Sequence, residues 1–94
     1  FNAVTAPQSY AEIAACAFPD LAGLSPQVAA TAFAEAMADL SKRCGLQQRL
    51  RDLGIKRGAL PMLAGDAMNQ TRLLVNNPRT VTQADALAIY EAVW

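Results

Sequence analysis

Histidine is absent from this 94-residue chain, so any acid–base or metal chemistry would fall to eight carboxylates, eight Lys and Arg side chains and two cysteines. Without imidazole the chain lacks the commonest metal ligand and the commonest general base. Cys16 and Cys44 lie far apart in sequence and match no zinc-binding spacing. The five glycines are scattered, with no G-x-G-x-x-G run and no phosphate loop. Glu35 and Asp39, one helical turn apart, are the nearest thing to a carboxylate pair. Both fall on the polar side of a predicted helix, where solvation is their expected role. Ser9, Ser25 and Ser41 have no candidate base. The residues themselves therefore predict no catalytic, cofactor-binding or metal-ligating group.

The elements that would carry these side chains are all helical. Ala6–Phe18 is a predicted first helix, with Pro7 in its first turn and Tyr10, Ile13, Ala14 and Ala17 at helical spacing. Pro19, Asp20 and Gly23 interrupt it. Ser25 and Pro26 fit the N-cap and first position of a second helix running to about Cys44, with Gly45 as its C-cap. Its predicted apolar face is Phe33, Met37, Leu40 and Cys44. Asp39 and Arg43 are spaced to pair weakly on the other face. Leu46–Ile55 reads as a helical turn ended by Gly54. Leu60–Leu74 is predicted as one long helix with the stripe Leu60, Leu63, Ala64, Ala67, Thr71 and Leu74. Asn76, Asn77 and Pro78 stop it. Thr82 and Asp85 have capping-box spacing at the head of a last helix. Ala86, Leu87, Ile89, Tyr90, Val93 and Trp94 cover most of that helix, which predicts burial. No alternating pattern competes for a strand, so the fold class is all-α with four main helices.

Composition bounds the rest. Hydrophobic residues make up 53% of the chain and charged ones 17%. A short chain this apolar implies a helix face meant for something outside it, the alternative being a compact Ala-rich bundle. The two cysteines are read as small buried hydrophobes. Net charge is zero but uneven. Glu12, Asp20, Glu35 and Asp39 precede any base. Lys42, Arg43, Arg49, Arg51, Lys56 and Arg57 then face Asp52 alone. A basic stretch without stacking aromatics in a neutral chain argues against nucleic acid. It reads as a solvated turn, or as a partner for acids elsewhere in a longer chain. No secretory signal and no membrane-length apolar run is visible, so a cytoplasmic location is expected.

Several segments, in order, resemble the C-terminal part of the iron-containing (group III) alcohol dehydrogenases. Leu50-Arg51-Asp52-Leu53-Gly54-Ile55 is similar to a turn of that family. Leu60-Pro61-Met62-Leu63-Ala64 is similar to a helix start. Asn77-Pro78-Arg79-Thr80-Val81-Thr82-Gln83-Ala84-Asp85 resembles its Asn-Pro-Arg segment, and Ile89-Tyr90-Glu91-Ala92-Val93-Trp94 its ending. Upstream, Phe1-Asn2-Ala3 resembles the stretch after the last metal-binding histidine, and Tyr10–Ala14 a family helix. These segments span essentially the whole chain.

The resemblance implies the C-terminal helical segment of a dehydroquinate synthase-like fold, residues 1–94. The nucleotide-binding domain and the metal-ligand region would precede Phe1. It implies Fe2+ or Zn2+ and NAD(P) in the full-length protein, with none held by this segment. It further implies a homo-oligomer, with the preceding portion of the parent chain as partner. Among these residues it points only to Leu73 and Leu74 as substrate-cleft lining, where the family often has a cysteine. Asn77, Pro78 and Arg79 would form a structural motif, with Arg79 tying the turn to backbone carbonyls or an acid. Asn2 would be a structural hydrogen bonder. The segment alone is expected to be inactive. Two alternatives remain open: a stand-alone helical protein-interaction module, and the C-terminal part of a maleylacetate reductase.

Overall fold

Prolines at first helical positions and glycines just past helix ends set most of the element boundaries. In a computed structural model, which describes residues 1–94, the chain has five helices and no strand. It divides into two compact units, Phe1–Leu46 and Gln47–Trp94.

In the first unit, α1 spans Pro7–Ala17 and α2 spans Pro26–Arg43. α1 stops at Phe18 (φ −135°, ψ 89°), because a residue before proline is pushed out of the helical region. Lys42 and Arg43 sit in the last turn of α2, where they favour the negative end of the dipole. Gly45 follows at φ +78°, a conformation open to glycine at little cost. Its N–H donates to the Lys42 carbonyl and that of Leu46 to the Ser41 carbonyl, closing the helix end in a Schellman motif. Ser25 takes the extended N-cap conformation, but its side chain makes no capping hydrogen bond.

α1 and α2 pack as a hairpin. Its seam is made of small residues, Ala14, Ala29 and Ala30, all buried. Phe33 lies between Tyr10 and Phe18, with ring centroids 6.1 and 5.9 Å away at tilted and edge-on angles. Such aromatic contacts are favourable beyond their buried area.

The expected apolar faces are only partly covered. Ile13, Ala17, Met37, Leu40, Cys16 and Cys44 are all exposed. Two physical reasons account for this. α2 is about 27 Å long against about 16 Å for α1, so its C-terminal half outruns its partner. Cys16 lies two residues from the inward-facing Ala14, roughly 200° around the helix. Smallness made the cysteines look like core residues, but helix phase decides the side.

In the second unit, 3-10 turns at Leu50–Leu53 and Arg57–Ala59 lead into α3, Leu60–Ala67. The predicted helix over Leu60–Leu74 is two helices: α4 covers Thr71–Leu74. Between them the amides of Met68, Asn69 and Gln70 donate three residues back, to Gly65, Asp66 and Ala67. That tightening ends α3, and Gln70 (ψ 51°) leaves the helical region. Gly65, Asn69 and Thr71 are weak helix formers, so the stripe's periodicity is not matched by propensity. The Gln70 carbonyl then accepts the amides of Leu73 and Leu74, starting α4 afresh.

α5 spans Gln83–Ala92 and begins with the predicted capping box. It packs on α3 around buried Leu60, Ala64 and Ala86. A Cβ added at Gly65 would sit 3.6 Å from Gln83 Nε2, so the first residue of α5 lies close to α3. The expected burial of α5 does not hold: Ile89 and Val93 are exposed. Within the unit one helix lies against it, and one helix covers one stripe.

Candidate functional site

The groups that could act lie in the second unit, on the loop from Val75 to Thr82. Asn76 Nδ2 donates to the Arg72 carbonyl (2.9 Å) and closes the end of α4. Asn77 Nδ2 donates to the Arg79 carbonyl, a contact of 2.6 Å across Pro78. Arg79 Nη2 stands 3.5 Å from Asp85 Oδ1, so the acid expected for this guanidinium is Asp85. The other carboxylate oxygen, Oδ2, accepts from Thr82 N (2.9 Å) and Thr82 Oγ1 (2.7 Å). The Asp85 amide returns a bond to Thr82 Oγ1 at 3.2 Å. One carboxylate thus caps α5 and holds the arginine of the loop.

The hydrogen bonds from the Thr82 side chain and backbone hold the Asp85 carboxyl below its ordinary 3.8, against an opposing effect of desolvation, and the Arg79 charge adds the smallest contribution in the same direction as the hydrogen bonds. A carboxyl whose pKa is depressed in the folded state stabilises that state above its unfolded pKa. The contribution is lost as pH falls through 3.8 toward the lower folded value. Asp85→Asn should therefore flatten the acid limb of a stability-versus-pH curve below about pH 4. Urea midpoints of the two proteins across that range measure it, and parallel curves would contradict this role.

A cavity of about 450 Å3 is lined by Leu74, Val75, Asn77, Arg79, Thr80 and Val81, with Met68 and Thr71 behind them. A second, more apolar cleft of about 270 Å3 shares Leu74 and Val81 and adds Ala67, Ala86, Ile89 and Tyr90. Of the expected residues, the structure brings Leu74, Asn77 and Arg79 to one cavity. Leu73 is 64% exposed and Pro78 lines neither space. Met68, Thr71 and Val81 also line the first cavity and were assigned no site role from the sequence. The break between α3 and α4, which turns Met68 and Thr71 toward the loop, carries no strong sequence signal.

The basic stretch is not a free turn. Leu50 N donates to the Val93 carbonyl (2.9 Å) and Arg49 Nη1 to the Ala92 carbonyl (3.0 Å). Trp94 Nε1 donates to the Ile55 carbonyl at 2.9 Å. The guanidinium carbons of Arg51 and Arg57 lie 5.9 and 5.5 Å from the Trp94 ring centroid. Residues 49–57 therefore clasp the end of α5. In the first unit, the Asp39–Arg43 pair forms at 3.6 Å but is exposed, and such pairs contribute little. The Asn2 carbonyl accepts the amides of Thr5 and Ala6.

No three Cys, Asp or Glu side chains come together, and there is no histidine to join them. This donor set does not fit iron or zinc. No strand and no glycine-rich phosphate turn is present to fit a dinucleotide. No helix is long and apolar enough to cross a membrane.

Comparison with known proteins gives one answer. The family described as Fe-containing alcohol dehydrogenase, C-terminal, matches residues 1–94. The lactaldehyde reductase of Escherichia coli K12 is 30% identical over 94 residues, all of this chain and 24% of the relative. The 1,3-propanediol dehydrogenase of Klebsiella pneumoniae is 32% identical over 90 residues, 96% of this chain and 23% of the relative. Long-chain-alcohol dehydrogenase 1 of Geobacillus thermodenitrificans is 42% identical over 50 residues, 53% of this chain and 13% of the relative. No solved structure matches significantly. The chain spans about a quarter of the length of the first two relatives. With its helices, its Asn-Pro-Arg loop and its C-terminal tryptophan in the order that resemblance required, the chain belongs to the iron-containing alcohol dehydrogenase family and corresponds to that family's C-terminal region.

Proposed function

We propose that these residues are the C-terminal helical part of a metal- and NAD(P)-dependent alcohol dehydrogenase that works in the cytoplasm as a homo-oligomer. In this reading the segment scaffolds and partly walls a substrate cleft, and is inactive by itself. Leu73 and Leu74 face the substrate side, and Fe2+ or Zn2+ and the nucleotide are held by the preceding portion of the parent chain. The observation that carries the reading is the family match from residue 1 to residue 94 in a chain whose donor set fits no metal. Apolar side chains left exposed in each unit, among them Met37 and Val75, support a partner of that kind.

The test is to express the chain with its encoded upstream sequence and assay it. Oxidation of a straight-chain alcohol with NAD or NADP, dependent on added Fe2+ or Zn2+, is expected. Residues 1–94 alone should give no turnover and take up no tightly bound ion. A longer chain that neither binds a divalent metal nor turns over any alcohol would remove the dehydrogenase reading.

A further inference from the structure

Two of the ties that hold the loop lining the 450 Å3 cavity converge on one side chain. Asn77 bridges to the Arg79 carbonyl, Arg79 reaches Asp85 Oδ1, and Thr82 is bound twice by Asp85 Oδ2. Between these anchors the chain presents Thr80 and Val81 to the cavity, opposite Leu74 and Val75 of the α4 end. Asp85 itself lines neither that cavity nor the neighbouring cleft. A carboxylate that touches no ligand can still set the width of a cavity when its two oxygens hold either side of a lining segment, here Thr80 and Val81 between Arg79 and Thr82.

We infer that Asp85 is a positioning residue, which through Arg79 sets how closely Val81 and Leu74 grip the carbon chain of the alcohol. This rests on the reading above that Leu74 faces the substrate side, and Leu74 shares its cavity with Val81. An ordinary helix cap would affect stability alone. A loop anchor also affects substrate affinity, because aliphatic walls act through close contact and lose much of it when they recede by less than an ångström.

The experiment uses the full-length protein and a panel of straight-chain primary alcohols. Asp85→Asn cuts the charged link to Arg79. Arg79→Gln cuts the same link and leaves the capping box of α5 intact, so it serves where the first variant folds poorly. Both should raise KM for the longer alcohols roughly tenfold, with kcat changed by less than about twofold. The double variant should be no worse than the worse single one, because both remove the same link. Unchanged KM values with a lowered Tm would make Asp85 a cap only and overturn the inference. Additive effects in the double variant would also overturn it. A wild-type protein that turns over none of the panel would instead fail the dehydrogenase reading itself.

Discussion

Leu60→Ala should unfold most of the 47–94 unit at room temperature. Leu60 is the largest fully buried side chain of the protein, at 1% exposure, and it joins Ala64 and Ala86 where α3 meets α5. The other buried residues of the unit are alanines, whose methyl groups cannot reach in to fill a void. Leucine-to-alanine changes in such cores cost about 2–5 kcal/mol, the upper part of the range applying where the site cannot collapse. A unit of this size has only roughly 2–7 kcal/mol of stability, at about 0.05–0.15 kcal/mol per residue. The helical circular dichroism signal should fall by close to the share carried by α3, α4 and α5, leaving that of α1 and α2. Leu60→Met, which keeps volume, should cost less than about 1.5 kcal/mol. A Leu60→Ala protein with an unshifted urea midpoint would show that the core lies elsewhere.

Trp94→Ala should be the second most damaging single change. It removes the ring beneath Arg51 and Arg57 and the indole donor to Ile55. Aromatic truncations cost about 3–5 kcal/mol when fully buried. Trp94 is half-buried, so about 2–3 kcal/mol is expected on that scale. Trp94→Phe keeps a six-membered ring under the arginines but loses the pyrrole ring and its N–H, which should cost about 1–2 kcal/mol. Thermal unfolding followed by circular dichroism separates the two. Equal Tm values for Trp94→Ala and the parent protein would mean that the clasp contributes nothing. The parent protein can also be followed by fluorescence, since Trp94 is its single tryptophan.

What could be read from the sequence was punctuation. Pro7, Pro26 and Gly45 act through their own backbone and the Thr82–Asp85 box through side chains that reach backbone three residues away, so local chemistry placed those boundaries closely. The break at Met68–Gln70 was not readable, because an apolar stripe continued through residues of weak helix propensity and nothing as strong as proline marked the gap. Burial was misjudged at Cys16, Cys44 and along α5, because side-chain character tells what a residue tolerates, whereas burial depends on helix phase, as at Cys16, and on how much a partner helix covers, as at Cys44 and along α5. Arg79 was expected to tie the turn to backbone carbonyls or an acid, and Asp85 stands within 3.5 Å of it. The clasp of residues 49–57 on Trp94 was missed because its contacts join positions about forty apart in sequence. Of the residues singled out in the sequence, Leu74, Asn77 and Arg79 fall at one cavity, because they belong to one short stretch around Pro78, whereas Met68 reaches it only through the unmarked break after α3.

The three buried methyl groups in the seam of the first hairpin set a bias on how this region can change over evolutionary time. At Ala14, Ala29 and Ala30 nearly every substitution adds volume, and added volume must spread two helices apart along their whole contact. Glycine and serine are the small exceptions, and each weakens a helix interior. The ring cluster of Tyr10, Phe18 and Phe33 has no such bind, since one bulky apolar side chain can trade for another. Related sequences should therefore hold these three alanines nearly fixed while the rings drift.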